Sequence, residues 1–127
     1  MRTLMISTAV LAVSSATALA QDVAAGEQTF RMCLPCHSVG EGDMNKLGPV
    51  LNAVDGRKSG TFEAYNYSDG MKNAGITWNE ATFKDYIQGP AAKVPGTKMA
   101  FAGLKDEKQI ADLWAYLKQF KADGSTK

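Results

Sequence analysis

Both cysteines of the chain and its only histidine fall within five residues, Cys33-Leu34-Pro35-Cys36-His37. This run constrains the fold more than any other feature of the sequence. C-x-x-C-H is the attachment sequence of a c-type haem. Two intervening residues let both sulfurs reach the vinyl groups on one edge of a porphyrin, and the adjacent imidazole then points at the iron as proximal ligand. A ligand of that size also supplies apolar core to a chain too short to build a large one. Three other uses of the motif compete. A thioredoxin-like redox pair wants a βαβ context, and strand signals are almost absent here. A structural zinc site needs further ligands, and there is no other Cys or His. A plain disulfide leaves His37 without a role. With a single histidine, the chain cannot ligate one iron through two imidazoles.

The start of the chain predicts export. Arg2 supplies a positive charge, Leu4 to Val13 is mostly apolar, and Ser14 to Ala20 is rich in small residues and ends Ala18-Leu19-Ala20. That is a signal peptide over residues 1–20 with a cut after Ala20. A retained membrane anchor is the alternative, but the apolar run is short for a span. Cleavage leaves one domain, residues 21–127, in an oxidising compartment such as the periplasm. Only Arg2 among the charged residues is lost, which leaves 13 basic and 13 acidic side chains. Zero net charge argues against nucleic acid as a partner.

The remaining pattern is all-α: three main helices, short turns and long loops. A first helix is predicted over Val23–Arg31 with Asp22 as N-cap. Gly26 and Phe30 lie four apart on one face, and a mid-helix glycine implies close approach of another element. Ser38 to Gly75 is glycine-rich loop, with helical turns predicted near Val50–Val54 and Asp69–Asn73. So long a loop suits a chain wrapped round a large ligand. Thr77 and Glu80 predict a capping box for a second helix carrying Phe83, Tyr86 and Ile87, stopped by Gly89-Pro90. Ala91 to Leu104 reads as irregular. The last helix is predicted over Asp106–Lys121, with Ile110, Leu113, Trp114, Leu117 and Phe120 at helical spacing and Gly124 ending it.

A sixth ligand must come from elsewhere. Met32, Met44, Met71 and Met99 are the methionines of the exported chain. Chain length excludes neither Met44 nor Met71. Met99, in the loop Pro95-Gly96-Thr97-Lys98-Met99-Ala100-Phe101, has the best setting to lay a side chain against a flat ligand. Lone methionines are commonly core filler, and the residues alone leave the choice open.

Several segments taken together resemble class I cytochromes c, most closely the bacterial cytochrome c2 and mitochondrial-like branch. They are Cys33-x-x-Cys36-His37, Lys46-Leu47-Gly48-Pro49-x-Leu51, Gly56-Arg57, Tyr65-x-Tyr67-Ser68-Asp69, Gly75-Ile76-Thr77-Trp78 and Pro95-Gly96-Thr97-Lys98-Met99-x-Phe101. The resemblance spans essentially all of residues 21–127. It implies the small cytochrome c fold around one haem c bonded to Cys33 and Cys36, with His37 and Met99 as iron ligands. It further implies that the Pro49 carbonyl takes the His37 Nδ1 proton, and that Arg57, Tyr67, Ser68 and Trp78 surround one haem propionate. Tyr86 would stand near the methionine sulfur, Thr97 would bond the other propionate, and Phe101 would border the ring. Gly26 and Phe30 would cross Leu113 and Tyr116 of the last helix. One departure stands out: the family often has Asn where this chain has Met71, which puts the polar network there in question.

The function implied is that of a monomeric periplasmic one-electron carrier, not an enzyme. Its donor would be a cytochrome bc1-type complex, and its acceptor a terminal oxidase or a photosynthetic reaction centre, in a respiratory or photosynthetic chain. Lys46, Lys93, Lys98 and Lys105 would ring the exposed haem edge and steer it onto acidic partners. Two alternatives accompany this reading. One is a dedicated electron acceptor of a periplasmic dehydrogenase. The other is a small haem peroxidase or sensor, which needs an open iron position that a methionine ligand would fill.

Overall fold

Asp22 starts the first helix, as its short acceptor side chain favours. Its Oδ1 accepts the Ala25 N–H at 3.1 Å, and α1 runs Val23–Phe30. The computed structural model describes residues 21–127 and, before them, Ala12 alone. The expected leader and its cut after Ala20 fall outside the residues described. Four more helices follow: α2 Asp69–Asn73, α3 Glu80–Ile87, α4 Pro90–Lys93 and α5 Glu107–Leu117. Among the described residues there is no β-strand, only single bridges pairing Lys58 with Thr77 and Phe120 with Thr126. No described helix is long and apolar enough to cross a membrane.

The frame of the fold is α1 crossing α5. Gly26 makes the crossing close: a β-carbon there would overlap the Asp112 carbonyl and come within 2.8 Å of the Tyr116 Cβ. Phe30 then stacks on Tyr116, ring centres 5.5 Å apart. The carboxylate of Asp112 is 4% exposed and closes the same junction. It accepts the Asp22 N–H at 2.8 Å and the Lys108 ammonium at 2.6 Å. Burial alone would raise its pKa, but these donors and the Lys108 charge outweigh burial and hold it below the ordinary carboxylate value. Asp112→Asn should therefore lower stability by about 1–3 kcal/mol at neutral pH. Because the folded pKa is depressed, the Asp112 contribution is complete above the unfolded value, ~3.9, and is lost as pH falls through the folded one. Urea midpoints of the two proteins should thus differ at pH 7 and converge in acid; equal midpoints at pH 7 would remove this role for Asp112.

Four expectations about local structure are corrected. The capping box of α3 is made by Asn79 and Thr82, not by Thr77 and Glu80. Asn79 Oδ1 accepts the Thr82 N–H at 2.9 Å, and Thr82 Oγ1 accepts the Asn79 N–H at 2.9 Å while donating to the Thr77 carbonyl at 2.7 Å. Val50–Val54 is a turn closed by Val54 N–H on the Leu51 carbonyl at 3.2 Å, not a helix. Within the stretch expected to be irregular, Pro90 at the first position seeds the single turn α4, and Gly89 precedes it as N-cap. Finally, α5 stops at Leu117, four residues early. The tail turns back on itself instead: Lys121 N–H donates to Ser125 at 2.8 Å and Lys127 N–H to Gln119 at 2.9 Å, with Gly124 in the turn between. Phe120 also accepts the Ala53 N–H at 3.1 Å, which ties this tail to the long loop.

Between the α1–α5 frame and the loops lies the apolar interior. Phe83 stacks on Trp114 at 5.2 Å, and Leu113 and Leu117 are almost wholly buried. The inner sides of α3 and α5 and the long loop together line a cavity.

Candidate haem site

Past Phe30 the chain continues for one further turn: Cys33 N–H donates to Phe30 at 2.8 Å and His37 N–H to Cys33 at 2.8 Å. That turn brings Cys33, Cys36 and His37 to one wall of a cavity of about 500 Å³. This lies in the range of sites for sizeable organic ligands rather than for a trapped water. The wall includes every site residue named from the sequence: Cys33, Cys36, His37, Pro49, Arg57, Tyr67, Ser68, Trp78, Tyr86, Thr97, Met99 and Phe101.

His37 is fixed from two directions. Its Nδ1 lies 2.8 Å from the Pro49 carbonyl. A carbonyl only accepts, so Nδ1 carries the proton and Nε2 keeps its lone pair. Gly48 lies flat against the imidazole, and a β-carbon there would sit 2.8 Å from Nδ1 and 2.9 Å from Nε2. Burial holds the His37 pKa below its usual value, against the Pro49 bond and helped by the Arg57 charge. The ring is thus a neutral, oriented donor. Cys33 and Cys36 are both free thiols, and burial together with Cys36 pushes the Cys33 thiol up to about 11.

Met99 is held by the loop that follows α4. The Tyr86 hydroxyl donates to Met99 Sδ at 3.4 Å and lies 3.2 Å from Thr97 Oγ1, which in turn accepts the Met99 N–H at 3.3 Å. Trp78 packs edge-on against Tyr86, ring centres 5.1 Å apart. Of the other methionines, Met32 and Met71 also reach the cavity wall, while Met44 is 77% exposed and does not.

Arg57 gives the clearest sign of a missing anion. Its Nη1 donates to the Val50 and Asn52 carbonyls at 3.1 Å each, and its guanidinium lies 4.9 Å over the Phe62 ring. Burial lowers its pKa, with Tyr67 opposing, yet a guanidinium stays charged. None of the three ion pairs among the described residues involves it. A largely buried cation without a carboxylate partner, at the wall of a cavity, calls for an acidic group inside it. The Ser68 hydroxyl accepts the Met71 N–H at 3.1 Å, capping α2, and its own hydrogen is left to donate into the cavity.

These observations fit a haem on four counts: cavity size, two thiols beside an imidazole with a free Nε2, a thioether oriented by a phenol, and an unpaired arginine for a propionate. Much of the remaining wall is apolar, with Leu51, Val54, Phe83, Ile87, Leu113 and Leu117 in it. Periodicity places Phe83, Ile87, Leu113 and Leu117 in a core stripe, but it cannot distinguish a stripe facing another helix from one facing a ligand. The four lysines of the expected ring are all exposed. Lys46 donates to the Leu34 carbonyl at 3.1 Å, Lys98 to Asn66 at 2.7 Å, and Lys105 to Gln88. Lys93 is 3.9 Å from Asp85 and partly offset by it.

Comparison with known proteins places the chain in a family. The family described as cytochrome c matches residues 23–121. Cytochrome c2 of Blastochloris viridis is 60% identical over 127 residues, all of both chains. Cytochrome c-550 of Bradyrhizobium diazoefficiens is 60% identical over 104 residues, 82% of this chain and 76% of that one. The solved structure of cytochrome cH from Methylobacterium extorquens superposes with a TM-score of 0.72 at 44% identity, covering 76% of this chain and 97% of that one.

Proposed function

From the premise that this chain belongs to the cytochrome c family, we propose that it shuttles single electrons in the periplasm, from a bc1-type complex to a terminal oxidase or a reaction centre, with His37 and Met99 as the iron ligands. The family carries one covalently bound haem c and transfers electrons rather than turning over a substrate. When bound, the haem supplies the one-electron couple. What this chain contributes is position and environment. Pro49 and Gly48 hold the His37 imidazole in one tautomer and one orientation. Tyr86 and Thr97 hold the Met99 thioether. A methionine ligand raises the potential relative to a second histidine, and the apolar wall disfavours the extra positive charge of the ferric form, as burial disfavours charge generally. Arg57, on the cavity wall, would supply the counter-charge for a haem propionate.

The observation that carries this reading is the pair of tethered donors on one cavity, His37 through its Nδ1 proton and Met99 through its sulfur. The visible spectrum of the holoprotein during a redox titration tests it. The reading expects a low-spin spectrum with the red-end ferric band of methionine–iron bonding; a high-spin ferric spectrum would contradict it.

The exposed Lys46, Lys93, Lys98 and Lys105 support electrostatic steering onto acidic partner surfaces despite the balanced overall charge. Raising ionic strength from about 0.01 M to about 0.15 M shortens the screening length from ~30 Å to ~8 Å. Bimolecular transfer to the partner complex should then slow by about tenfold. Stopped-flow rates that do not change with salt would rule steering out.

A further inference from the structure

Two methionines, Met71 buried and Met99 partly buried, line the cavity from neighbouring segments of the chain. Met99 comes from the loop after α4. Met71 comes from the middle of α2, is 9% exposed, and lies on the same cavity wall. The two segments are packed and bonded to each other. Gly70, next to Met71, is so close to the Pro95 carbonyl that a β-carbon would overlap it. Lys98, next to Met99, donates to the Asn66 carbonyl at 2.7 Å. The base of Met71 is also rigid: its N–H is capped by Ser68 Oγ at 3.1 Å, and Gly60 packs against the backbone of Lys72.

The two sulfurs differ in one respect. Met99 Sδ accepts a hydrogen bond from Tyr86, whereas Met71 Sδ accepts none among the described residues, so both of its lone pairs are free. An unbranched side chain with three rotatable bonds on a rigid base can shift its sulfur without moving backbone. The chemistry of a soft thioether donor is the same at either position.

We propose that Met71 is a second sulfur ligand for the haem iron, which takes the place of Met99 when the Pro95–Phe101 loop moves away. The bond from Met99 Sδ breaks and one from Met71 Sδ forms. Both donors are neutral, so no electron or proton is gained or lost and the oxidation state of the iron is unchanged. The exchange keeps the sixth position filled during loop motion, and so closed to small oxidants. This inference rests on the reading of His37 and Met99 as the resting ligands.

The test uses the haem-loaded protein and its ferric spectrum, followed in four forms: the natural chain, Met99→Ala, Met71→Leu, and the double variant. The inference expects the band of methionine–iron bonding in the natural chain, in Met71→Leu and in Met99→Ala, and its loss only in the double variant. Loss in Met99→Ala alone overturns the second ligand and leaves the resting assignment intact. Absence from the natural chain overturns the resting assignment and this inference with it. Loss in Met71→Leu with retention in Met99→Ala overturns both assignments as written. Cyanide binding to ferric Met99→Ala and to the ferric double variant gives a second reading that does not depend on the band. If Met71 holds the iron once Met99 is gone, cyanide binds the double variant more tightly than Met99→Ala, by about tenfold where Met71 occupies nine-tenths of the Met99→Ala protein. Equal or weaker binding overturns the inference.

Discussion

Replacing both thiols, Cys33→Ala with Cys36→Ala, yields a chain with no covalently attached haem and no cooperative fold. The cavity bounded by these residues measures about 500 Å³. At ~24 cal/mol per Å³ of unfilled space, leaving it empty costs on the order of 12 kcal/mol. That is an upper figure, because one side of the cavity is open. It still matches the whole stability of a typical domain, about 5–15 kcal/mol. The apolar faces of α3 and α5 line this space, so they lose their packing partner together. Far-ultraviolet circular dichroism of the haem-free double variant should show little helix and no melting transition at 25 °C and above. A cooperative melt within a few degrees of the natural protein would mean that α1, α3 and α5 hold themselves together, and that the cavity is a pocket rather than a core.

The second large effect is expected at Gly26→Val. Any β-carbon at this position overlaps the Asp112 carbonyl, which is backbone and cannot rotate away. Valine adds two branched methyl groups to the same space. Relief requires α1 to lift from α5, which also separates Phe30 from Tyr116 and Asp22 from the Asp112 carboxylate. Overpacking of this kind costs about 3 kcal/mol. Replacing a mid-helix glycine returns less than about 1 kcal/mol in helix propensity. The thermal midpoint of the holoprotein should fall by roughly 10–20 °C, since each kcal/mol is worth about 4–8 °C in a domain of this size. A midpoint within about 2 °C of the natural chain would show that the crossing yields easily.

Much of this fold was legible in the sequence because its signals are local. Asp22 and Asp106 are good caps, and both start helices. The apolar stripes of α3 and α5 repeat at helical spacing. The misread boundaries have physical reasons. Thr77 and Glu80 have the spacing of a capping box, but Asn79 and Thr82 have it too, and only the path of the chain decides between them. The one turn of α4 is too short to show any period. The end of α5 is set by pairing of the tail with residues 119 and 121, a contact that local propensity does not encode.

The site was legible differently. The spacing of Cys33, Cys36 and His37 carries its own chemistry. Arg57, Tyr67, Trp78 and Thr97 were named through resemblance, since each taken alone is an ordinary core or loop residue. The role of Asp112 was invisible, because its partners Asp22 and Lys108 combine a contact 90 residues away with a local one. The same holds for Arg57: that it lacks a carboxylate partner among the described residues is a statement about all of them, and no sequence window contains it.

A porphyrin bonded to this chain through both sulfurs is the condition on which the proposed electron transfer depends most. The intact mass of the protein, matured in a host that attaches c-type haem, measures that directly, and a peptide map locates the addition. The expected result is a chain beginning at Gln21 and heavier by one haem, with the added mass on the peptide that holds Cys33, Cys36 and His37. A mass equal to that of the bare polypeptide, with both thiols open to alkylation, would contradict it.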